Sequence, residues 1–362
     1  MKTIGIIGAG QLGQMLGFAA SKLGVECVFL DPGDDPPAAA AGEVLKYAFN
    51  SEDGLAALAA RTDLITYEFE NVPVDALARL PSGTVVYPPP AALEHAQDRV
   101  VEKTLFEALQ IPVPGFRPVD SREDLAQAAD ELGLPIVLKT RRLGYDGKGQ
   151  AIVRERADID GAVEALGGAD LIAEQWVPFD REVSAIGARS ASGEVAFYPL
   201  SENEHKDGIL SVSRAPADAE SLEAPARLYL EKLLTHLDYV GVLALELFVT
   251  GDRLLANEFA PRVHNSGHWT IEGSETSQFE NHVRAILDMP LGPTGMRGKA
   301  GMVNLIGRIP DDRSSLDGGP CHLHDYGKAP RPGRKLGHVT VVSDDLDERD
   351  QILRKLANQL NS

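Results

Sequence analysis

The sequence predicts an α/β protein that begins with a Rossmann-like parallel-sheet domain and continues into parts built on antiparallel strands. The apolar run 3–8 leads into the glycine-rich loop 8–13 and then into a helical apolar pattern. This is the strand-loop-helix order of doubly wound folds. Much later, residues 241–260 form two apolar β-runs joined by a tight Thr250-Gly251-Asp252 turn, which is typical of an antiparallel hairpin.

Composition limits the class of protein. The chain has 362 residues and a formal net charge of −19. This length accommodates two or three domains, and the acidic balance argues against a nucleic-acid or anionic-membrane partner. Cys27 and Cys321 provide no disulfide framework, and no apolar run approaches the ~20 residues of a membrane span. We therefore expect a cytoplasmic protein that acts on small molecules.

The glycine-rich loop has two functional interpretations. The pattern continues to a second strand ending at Asp31, 18 residues beyond Gly13, which matches the dinucleotide-binding fingerprint. Free backbone N–H groups at a helix N-terminus also suit a phosphate or any other anion, so nicotinamide is only one candidate. A further strand, residues 64–67, ends shortly before Glu70 and Asn71. These two residues are either ligand contacts at a strand end or a cap of the following helix.

The centre of the chain predicts a phosphate-covering arrangement. Residues 91–110 are predicted as one charged amphipathic helix, and the later strand 136–139 brings Lys139 to the start of loop 140–150. Three glycines and several cations in that loop suit phosphate binding. The loop is not a P-loop, because no G-x-x-x-x-G-K-[ST] occurs in the chain. A glycine-rich hairpin turn with solvated lysines is the alternative.

The hairpin carries a glutamate on each β-run where the pattern calls for an apolar residue. With a three-residue loop, 251–253, Glu246 pairs directly with Glu258 and their Cβ atoms lie ~5 Å apart on one face. A two-residue loop would shift the register and place them on opposite faces. Facing carboxylates repel unless a cation lies between them, and oxygen ligands suit Mg²⁺. Two surface glutamates on an ordinary hairpin are the alternative.

A basic turn near the C-terminus, residues 331–338, is a further candidate anion site, with a solvated turn as the alternative. No convincing zinc spacing and no nucleophile motif accompany it. Lys139, the glycine loop, the paired glutamates and the basic turn together indicate phosphoryl transfer, which requires cations around phosphates and Mg²⁺ on their oxygens.

These motifs, in this order, resemble the ATP-grasp superfamily. The resemblance rests on GAGQLG at 8–13, Lys139, GYDGKGQ at 144–150, EQWV at 174–177, and the hairpin followed by APRVHNSGHW at 260–269. Within the superfamily, the chain is similar to the N5-carboxyaminoimidazole ribonucleotide synthase family. RPGRKLGH at 331–338 extends this similarity almost to the end of the chain. RRLGYDGKGQ and APRVHNSGHW are specific motifs, whereas GxGxxG is not.

The resemblance implies an ATP-grasp carbon–nitrogen ligase of purine biosynthesis. Such an enzyme uses ATP, Mg²⁺ and bicarbonate to carboxylate the 5-amino group of 5-aminoimidazole ribonucleotide through carboxyphosphate. A homodimer is implied, with an N-terminal Rossmann-like domain over 1–92, a linker helix and small flap domain over 93–178, and a large antiparallel-sheet domain with a C-terminal subdomain over 179–362. Two alternatives stay open. One is another ATP-grasp ligase, such as a formate-dependent glycinamide ribonucleotide transformylase or a biotin carboxylase-like enzyme. The other is an NAD-dependent dehydrogenase.

The resemblance also assigns roles to individual residues. Those implied in ATP binding are Arg99, Lys139, Gly144, Tyr145, Asp146, Gly147, Lys148, Gly149, Gln150, Glu174, Gln175, Trp176, Val177, Glu182, His205, Asn257 and Glu258. Those implied in ribonucleotide binding are Gln11, Leu12, Glu70, Asn71, Tyr145, Asp146, Lys148, Arg334 and Lys335. Glu246 and Glu258 would hold Mg²⁺, and Arg262, His264 and Lys335 would be catalytic. Many ATP-grasp enzymes have an asparagine two residues after the second glutamate. Ala260 stands there in this chain, so water or phosphate would replace that ligand.

Overall fold

The computed structural model describes residues 2–144 and 149–360, and within them it shows a parallel sheet followed by two antiparallel sheets. The N-terminal elements are β1 (Thr3–Ile7), α1 (Gln11–Lys22), β2 (Glu26–Leu30), β3 (Glu43–Leu45), α2 (Glu52–Ala59), β4 (Leu64–Tyr67), α3 (Val74–Leu77) and α4 (Pro90–Ala96). The central elements are α5 (Arg99–Ala108), β5 (Phe116–Val119), α6 (Arg122–Leu132), β6 (Ile136–Thr140), β7 (Gln150–Val153), α7 (Ile159–Ala165) and β8 (Leu171–Gln175).

The remaining elements build the large sheet and its covering helices. They are β9 (Arg181–Arg189), β10 (Val195–Phe197), β11 (Ser201–Lys206), β12 (Ile209–Ala215), α8 (Glu220–His236), β13 (Gly241–Thr250), β14 (Arg253–Ala260), α9 (Thr270–Gly273), α10 (Gln278–Ile286), β15 (Lys299–Ile306), β16 (Cys321–Asp325), β17 (Lys335–Ser343) and α11 (Leu346–Leu360). The predicted fold class is confirmed.

The parallel sheet runs in the order β3-β2-β1-β4. Ile4 and Ile6 belong to the core that contains Leu16 of α1, whereas Ile7 belongs to the opposite core with Leu55 of α2. Because both faces of β1 are covered, its sequence is a continuous apolar run and does not alternate. Ile7 pairs with Tyr67 at the carboxyl ends of β1 and β4. The glycine-rich loop and the segment 68–71 therefore lie side by side at one edge of the sheet.

The predicted single helix over 91–110 is wrong, because two helices, α4 and α5, occupy this range. Asp98 begins α5 as its N-cap, and its carboxylate accepts a hydrogen bond from Val100 N at 3.0 Å. The same carboxylate binds Arg141 through two hydrogen bonds of 3.0 and 2.7 Å. An N-cap residue has non-helical dihedral angles, so the helix cannot continue through it. The apolar periodicity of the sequence does not reveal this break.

The small antiparallel sheet runs in the order β5-β8-β6-β7. Leu138 and Ala173 face the core under α6 and α7. Side chains alternate between the faces of a strand, so Lys139 points to the other face. Glu174 shares that face with Lys139, because Glu174 pairs with Val137. The strand alternation thus places a cation and an anion together on the surface that faces the large sheet.

The large sheet runs in the order β14-β13-β9-β11-β12-β15-β17-β16, and β10 pairs with β9. The hairpin of β13 and β14 therefore forms one edge. Helix α8 packs Leu230 and Leu234 against the hairpin face that carries Leu245. Phe279 of α10 lies in the core on the other side, with residues of α1. The predicted boundaries 92/93 and 178/179 remain predictions, although the strands of each sheet lie within a single predicted domain.

The hairpin register shows how the paired glutamates come to face each other. Of the two loop lengths considered, the structure has the shorter, because Thr250 pairs with Arg253 across a two-residue turn. This turn alone would place Asn257 opposite Glu246. A register shift between Glu246 and Leu247 makes Asn257 the extra residue of a β-bulge, since a bulge sets two residues against one. The predicted pairing of Glu246 with Glu258 is therefore confirmed, and the bulge is its cause.

No helix in the part of the chain that the structure describes is long and apolar enough to cross a membrane.

Candidate active site

A cavity of about 380 Å³ lies where the parallel sheet, α5 and the hairpin of the large sheet meet. Many of its lining residues carry a predicted role. These are Gln11, Leu12, Glu70, Asn71, Arg99, Gly144, His205, Glu246, Glu258, Arg262, His264 and Lys335. The cavity thus brings together residues that the resemblance assigned separately to ATP binding, metal binding, catalysis and ribonucleotide binding.

The facing glutamates each pair with a cationic or ionisable side chain. Arg99 Nη1 donates to Glu258 Oε2 at 2.5 Å, and His264 Nε2 lies 3.0 Å from Glu246 Oε1. Burial favours the protonated form of Glu246, but the charge and hydrogen bond of His264 outweigh it and lower the pKa of Glu246 to about 2. Glu246 is therefore an anion at neutral pH, as a metal ligand must be.

Arg262 joins the large sheet to the N-terminal part. Its Nε donates to Glu70 Oε2, and its Nη1 donates to Val263 O at 3.0 Å. Burial opposes ionisation of Glu70, but the charge of Arg262 outweighs it and lowers the pKa of Glu70 to about 2. Burial likewise disfavours the charged guanidinium, yet Glu70 raises the pKa of Arg262 above its ordinary value. Arg262 is thus held as a cation at the cavity wall.

His264 has a fixed ring. Its Nδ1 lies 2.8 Å from Ser266 Oγ, its Nε2 contacts Glu246, and its backbone N–H donates to Gln278 Oε1 at 2.9 Å. Because both ring nitrogens have partners, the imidazole keeps one orientation toward the cavity.

Two predicted residues, Lys139 and Glu174, form a chain of charges with Lys103 beside the cavity. Lys139 Nζ donates to Glu174 Oε2 at 2.8 Å, and Lys103 Nζ lies 3.5 Å from Glu174 Oε1. Burial favours the neutral carboxyl, but Lys103 and Lys139 lower the pKa of Glu174 to about 2. The Glu174 side chain is thus engaged by lysines, so the ATP contact implied for this segment would fall to the residues after it.

The remaining residues with a predicted role have contacts of their own. His205 Nδ1 is 2.5 Å from Glu182 Oε2. Burial lowers the pKa of His205, but the bond to Glu182 outweighs burial and the pKa is raised overall. Gln150, directly after Gly149, begins β7 and pairs with Lys139, while Gln175 ends β8 and is followed by Trp176 and Val177. Arg334 Nη1 donates to Ala329 O at 3.1 Å. Tyr145, Asp146, Gly147 and Lys148 lie outside the described residues.

Comparisons with known proteins match almost the whole length of the chain. Family models match residues 1–97 (ribonucleotide synthetase preATP-grasp domain), 104–279 (ATP-grasp domain) and 300–352 (phosphoribosylaminoimidazole carboxylase C-terminal domain). The N5-carboxyaminoimidazole ribonucleotide synthase of Pseudomonas aeruginosa is 49% identical over 342 residues, which cover 94% of this chain and 95% of that one. The chain belongs to the N5-carboxyaminoimidazole ribonucleotide synthase family. It is an ATP-grasp ligase.

Other relatives agree with this assignment. The Brucella melitensis synthase is 50% identical over 351 residues, covering 94% of this chain and 96% of that one. The crystal structure of the Thermus thermophilus synthetase superposes with a TM-score of 0.95 at 52% identity, over 99% of each chain. The Aspergillus clavatus synthase, solved with ADP and 5-aminoimidazole ribonucleotide, has a TM-score of 0.92 at 31% identity, over 100% of this chain and 99% of that one.

The glycine-rich loop does not offer the free N–H groups that the sequence predicted for it. The Glu68 carboxylate accepts hydrogen bonds from Gly10 N and from Gly13 N, the latter at 2.6 Å, and Asp31 Oδ2 accepts from Ala9 N at 3.0 Å. A Cβ on Gly10 would lie 2.6 Å from Glu68 Oε1, so the carboxylate needs glycine there. Because an internal anion fills the helix N-terminus, the structure argues against a dinucleotide phosphate at this position.

Glu68→Gln tests this role of the carboxylate. The amide retains one acceptor oxygen but turns an NH₂ donor toward the second glycine N–H, so one buried donor loses its partner. We expect the free energy of unfolding to fall by ~1–3 kcal/mol, measured by urea denaturation. Glu26→Gln, at an exposed position in the same sheet, is the control and should change stability little. Equal stability of the two variants would contradict this role.

The structure adds site residues that the sequence interpretation missed. Glu68 and Glu102 line the cavity, Lys103 belongs to the chain of charges, and Lys328 Nζ contacts Gln11 Oε1. Burial, and then the charge of Glu258, raise the pKa of Glu102 to about 8. Glu68 follows the predicted strand 64–67 directly, so its position at a strand end was an available signal. The other three residues carry no motif, and only their tertiary contacts identify them.

Proposed function

We propose that this protein catalyses the ATP- and bicarbonate-dependent carboxylation of 5-aminoimidazole ribonucleotide on its 5-amino group. The products are N5-carboxyaminoimidazole ribonucleotide, ADP and phosphate, with carboxyphosphate as the intermediate, in de novo purine biosynthesis. One observation carries the proposal. A single cavity in a member of this family contains the facing glutamates, the Arg262–Glu70 pair and the loop residues Gln11 and Leu12.

The residues on the small sheet and α5 are suited to bind the phosphates of ATP. Lys139 projects from β6, and Arg99 reaches both Glu258 and Gly144 O, the latter at 3.2 Å. Cations fixed in this way neutralise the charge that phosphoryl transfer develops on phosphate oxygens. Through Gly144, Arg99 also contacts the first residue of the loop 144–150, which the resemblance assigns to ATP. The chain after Glu174 would bind adenine.

The hairpin residues fit a magnesium ion. Glu246 and Glu258 lie directly opposite each other, and the Oδ1 of Asn257 is a buried oxygen with no hydrogen-bond partner among the described residues. Oxygen ligands of this kind are those that Mg²⁺ prefers, with waters and phosphates completing its coordination. Bound Mg²⁺ supplies positive charge to the transferring phosphoryl group. Ala260 lines the same cavity but offers no ligand atom in its side chain.

Arg262 and His264 are suited to the bicarbonate chemistry. Arg262 is a partly buried cation with two anchored nitrogens, and His264 is held in one orientation by Ser266 and Glu246. A fixed positive charge in a site closed to water stabilises a developing anion and protects a hydrolysable intermediate. We assign these two residues to bicarbonate and the carboxyl intermediate.

The N-terminal loop and the basic turn are suited to the ribonucleotide. Gln11, Leu12, Glu70, Asn71 and Lys335 all line the cavity. Lys328 contacts Gln11, and Arg334 lies close enough for its positive charge to lower the pKa of Lys328. We therefore assign the substrate phosphate to Arg334, Lys335 and Lys328. Tyr145, Asp146 and Lys148 keep the substrate role that the family resemblance implies.

Lys328 predicts a pH dependence of substrate capture. Burial, together with the charge of Arg334, lowers the pKa of Lys328 to about 8. The protonated ammonium binds phosphate, and its population falls as pH rises through about 8. We expect kcat/KM for the ribonucleotide to decrease above that pH, since kcat/KM reports groups of the free enzyme. Lys328→Arg should move the decrease to higher pH, because a guanidinium stays protonated. If the pH dependence of kcat/KM for the ribonucleotide is the same in Lys328→Arg as in the native protein, Lys328 does not bind the substrate phosphate. The pH dependence of kcat/KM for ATP is the internal control.

The decisive assay measures ADP release with Mg-ATP and bicarbonate, with and without 5-aminoimidazole ribonucleotide. We expect the ribonucleotide to stimulate ADP release and to become carboxylated. Parallel reactions contain glycinamide ribonucleotide with formate, or biotin, in place of the ribonucleotide. If 5-aminoimidazole ribonucleotide does not stimulate ADP release but one of these other acceptors does, the substrate assignment is overturned. The proposal includes a cytoplasmic homodimer, which the family resemblance implies.

A further inference from the structure

One turn of α5 contacts the residues that form the bulge of β14. Arg99 donates to the Glu258 carboxylate at 2.5 Å, Lys103 Nζ donates to Asn257 O at 3.2 Å, and Phe259 N donates to Glu102 Oε1 at 2.7 Å. Residues three and four apart in a helix share one face. A single helical face therefore contacts three consecutive residues of β14, which contain the extra residue and its two successors.

These contacts matter because β14 is an edge strand of the large sheet. Its inner side pairs with β13, whereas its outer backbone groups have no neighbouring strand to bind. Ala256 N donates to Pro112 O at 2.7 Å, and the bonds to Lys103 and Glu102 satisfy the next outer groups. Side chains of α5 thus replace a missing strand, at the place where the ladder departs from its regular register.

The register of this segment decides where Glu258 points. Continuing the pairing set by the turn would place Glu258 opposite Leu245, and Asn257 opposite Glu246. A slip of one residue moves every side chain to the other face of the strand. The bulge is therefore the condition for two facing carboxylates, and the contacts of α5 bind the chain in its bulged form.

Glu102 and Lys103 are also unusual for their burial, since they are 2% and 1% exposed. Acidic and basic side chains are almost never fully buried unless they are paired. Lys103 has a second contact, to Glu174, which in turn binds Lys139. Through Glu174, Lys103 therefore connects the bulge to β8 and to Lys139, the lysine that is predicted to bind phosphate.

We propose that Glu102 and Lys103 are positioning residues that hold the bulge of β14 and thereby keep Glu258 opposite Glu246 for metal binding. Lys103 additionally sets the position of this metal carboxylate relative to Lys139. The inference rests on the proposed metal role of Glu258, and the experiment below separates the two.

The experiment compares Glu102→Leu, Glu102→Gln and Lys103→Met with Glu107→Gln, an exposed glutamate on the same helix. Mn²⁺ binding in the presence of ADP is measured by electron paramagnetic resonance, and the Mg²⁺ dependence of ADP release is measured separately. We expect Glu102→Leu and Lys103→Met to weaken Mn²⁺ binding by about 10- to 100-fold, as the loss of groups that orient metal ligands does. Glu102→Gln retains an acceptor oxygen for Phe259 N–H, so its Mn²⁺ affinity should be close to that of Glu107→Gln.

The outcomes separate three cases. Mn²⁺ binding that is weak in Glu102→Leu but normal in Glu102→Gln supports positioning. If a general loss of packing were the cause, Mn²⁺ affinity would not depend on whether residue 102 keeps an acceptor oxygen. If Glu102→Leu does not fold, Lys103→Met still tests the proposal. This variant should fold, because the buried Glu174 carboxylate keeps Lys139 as a partner. Mn²⁺ binding equal to that of Glu107→Gln in the folded variants would overturn the proposal, provided that Glu258→Gln abolishes binding. Unchanged Mn²⁺ binding in Glu258→Gln would instead overturn the proposed metal site itself.

Discussion

Glu258→Gln is expected to lower the rate of ADP formation by about a hundredfold to a thousandfold, which corresponds to the several kcal/mol of charge stabilisation that a bound metal supplies. The substitution retains size and one oxygen, but it removes the negative charge that faces Glu246. It also removes the charged partner of Arg99, which lies 2.5 Å away. Steady-state kinetics at several Mg²⁺ concentrations would measure the effect.

The control for this prediction is Glu107→Gln, which makes the same chemical change at an exposed position of α5. Glu246→Gln should resemble Glu258→Gln, because the two carboxylates face each other across the hairpin. Near-normal turnover of Glu258→Gln at saturating Mg²⁺ would contradict the role of the hairpin. Loss of activity in Glu258→Gln with full activity in Glu246→Gln would limit the metal site to one carboxylate.

Arg262→Ala is expected to reduce kcat by about a hundredfold to a thousandfold, similar to the loss of a group that stabilises a developing anion. ATP binding should change little, because the guanidinium of Arg262 bonds to Glu70 and Val263, whereas Lys139 bonds to Glu174. Equilibrium binding of ATP and single-turnover ADP formation would separate these effects. A selective loss of ATP affinity would place Arg262 in the ATP site and contradict the assignment.

Stability must be separated from catalysis in this variant, since Arg262→Ala leaves Glu70 without its ion-pair partner. Removing one member of a buried pair destabilises a protein by about 3–5 kcal/mol, and the partial exposure of Glu70 places this case at or below that range. The double variant Arg262→Ala/Glu70→Gln should regain much of the stability without regaining turnover. Arg79→Ala, which breaks an exposed pair with Asp75, is the control for losing an arginine.

The sequence, with the family resemblance, predicted many of the local elements and half of the residues that line the cavity, but not the break between α4 and α5. Buried strands, glycine turns and the approach of Lys139 to a loop are encoded by neighbours along the chain. The family resemblance then assigned Arg262, His264 and Lys335 to one site, and all three line the same cavity. Their individual roles remain predictions.

The glycine-rich loop shows why local pattern was insufficient elsewhere. Its sequence is that of an anion site, yet the group that fills it is Glu68, 55 residues beyond Gly13 in the chain. The sequence does not indicate which acceptor a backbone N–H group will bind. Only the pairing of β1 with β4 shows that the Glu68 carboxylate lies beside the glycine-rich loop. The break at Asp98 is similar, since its carboxylate binds Arg141 from a distant part of the chain.

The hairpin divides most clearly into what the sequence determined and what the tertiary structure decided. The sequence determined that two apolar strands would carry one glutamate each around a tight turn. It could not determine the register. The two-residue turn alone would lose the pairing of Glu246 with Glu258, and the bulge restores it. The groups that bind the bulged strand, Glu102 and Lys103, come from a helix more than a hundred residues earlier in the chain. Local chemistry specifies which side chains a strand carries, whereas packing against a remote helix decides which of them face each other.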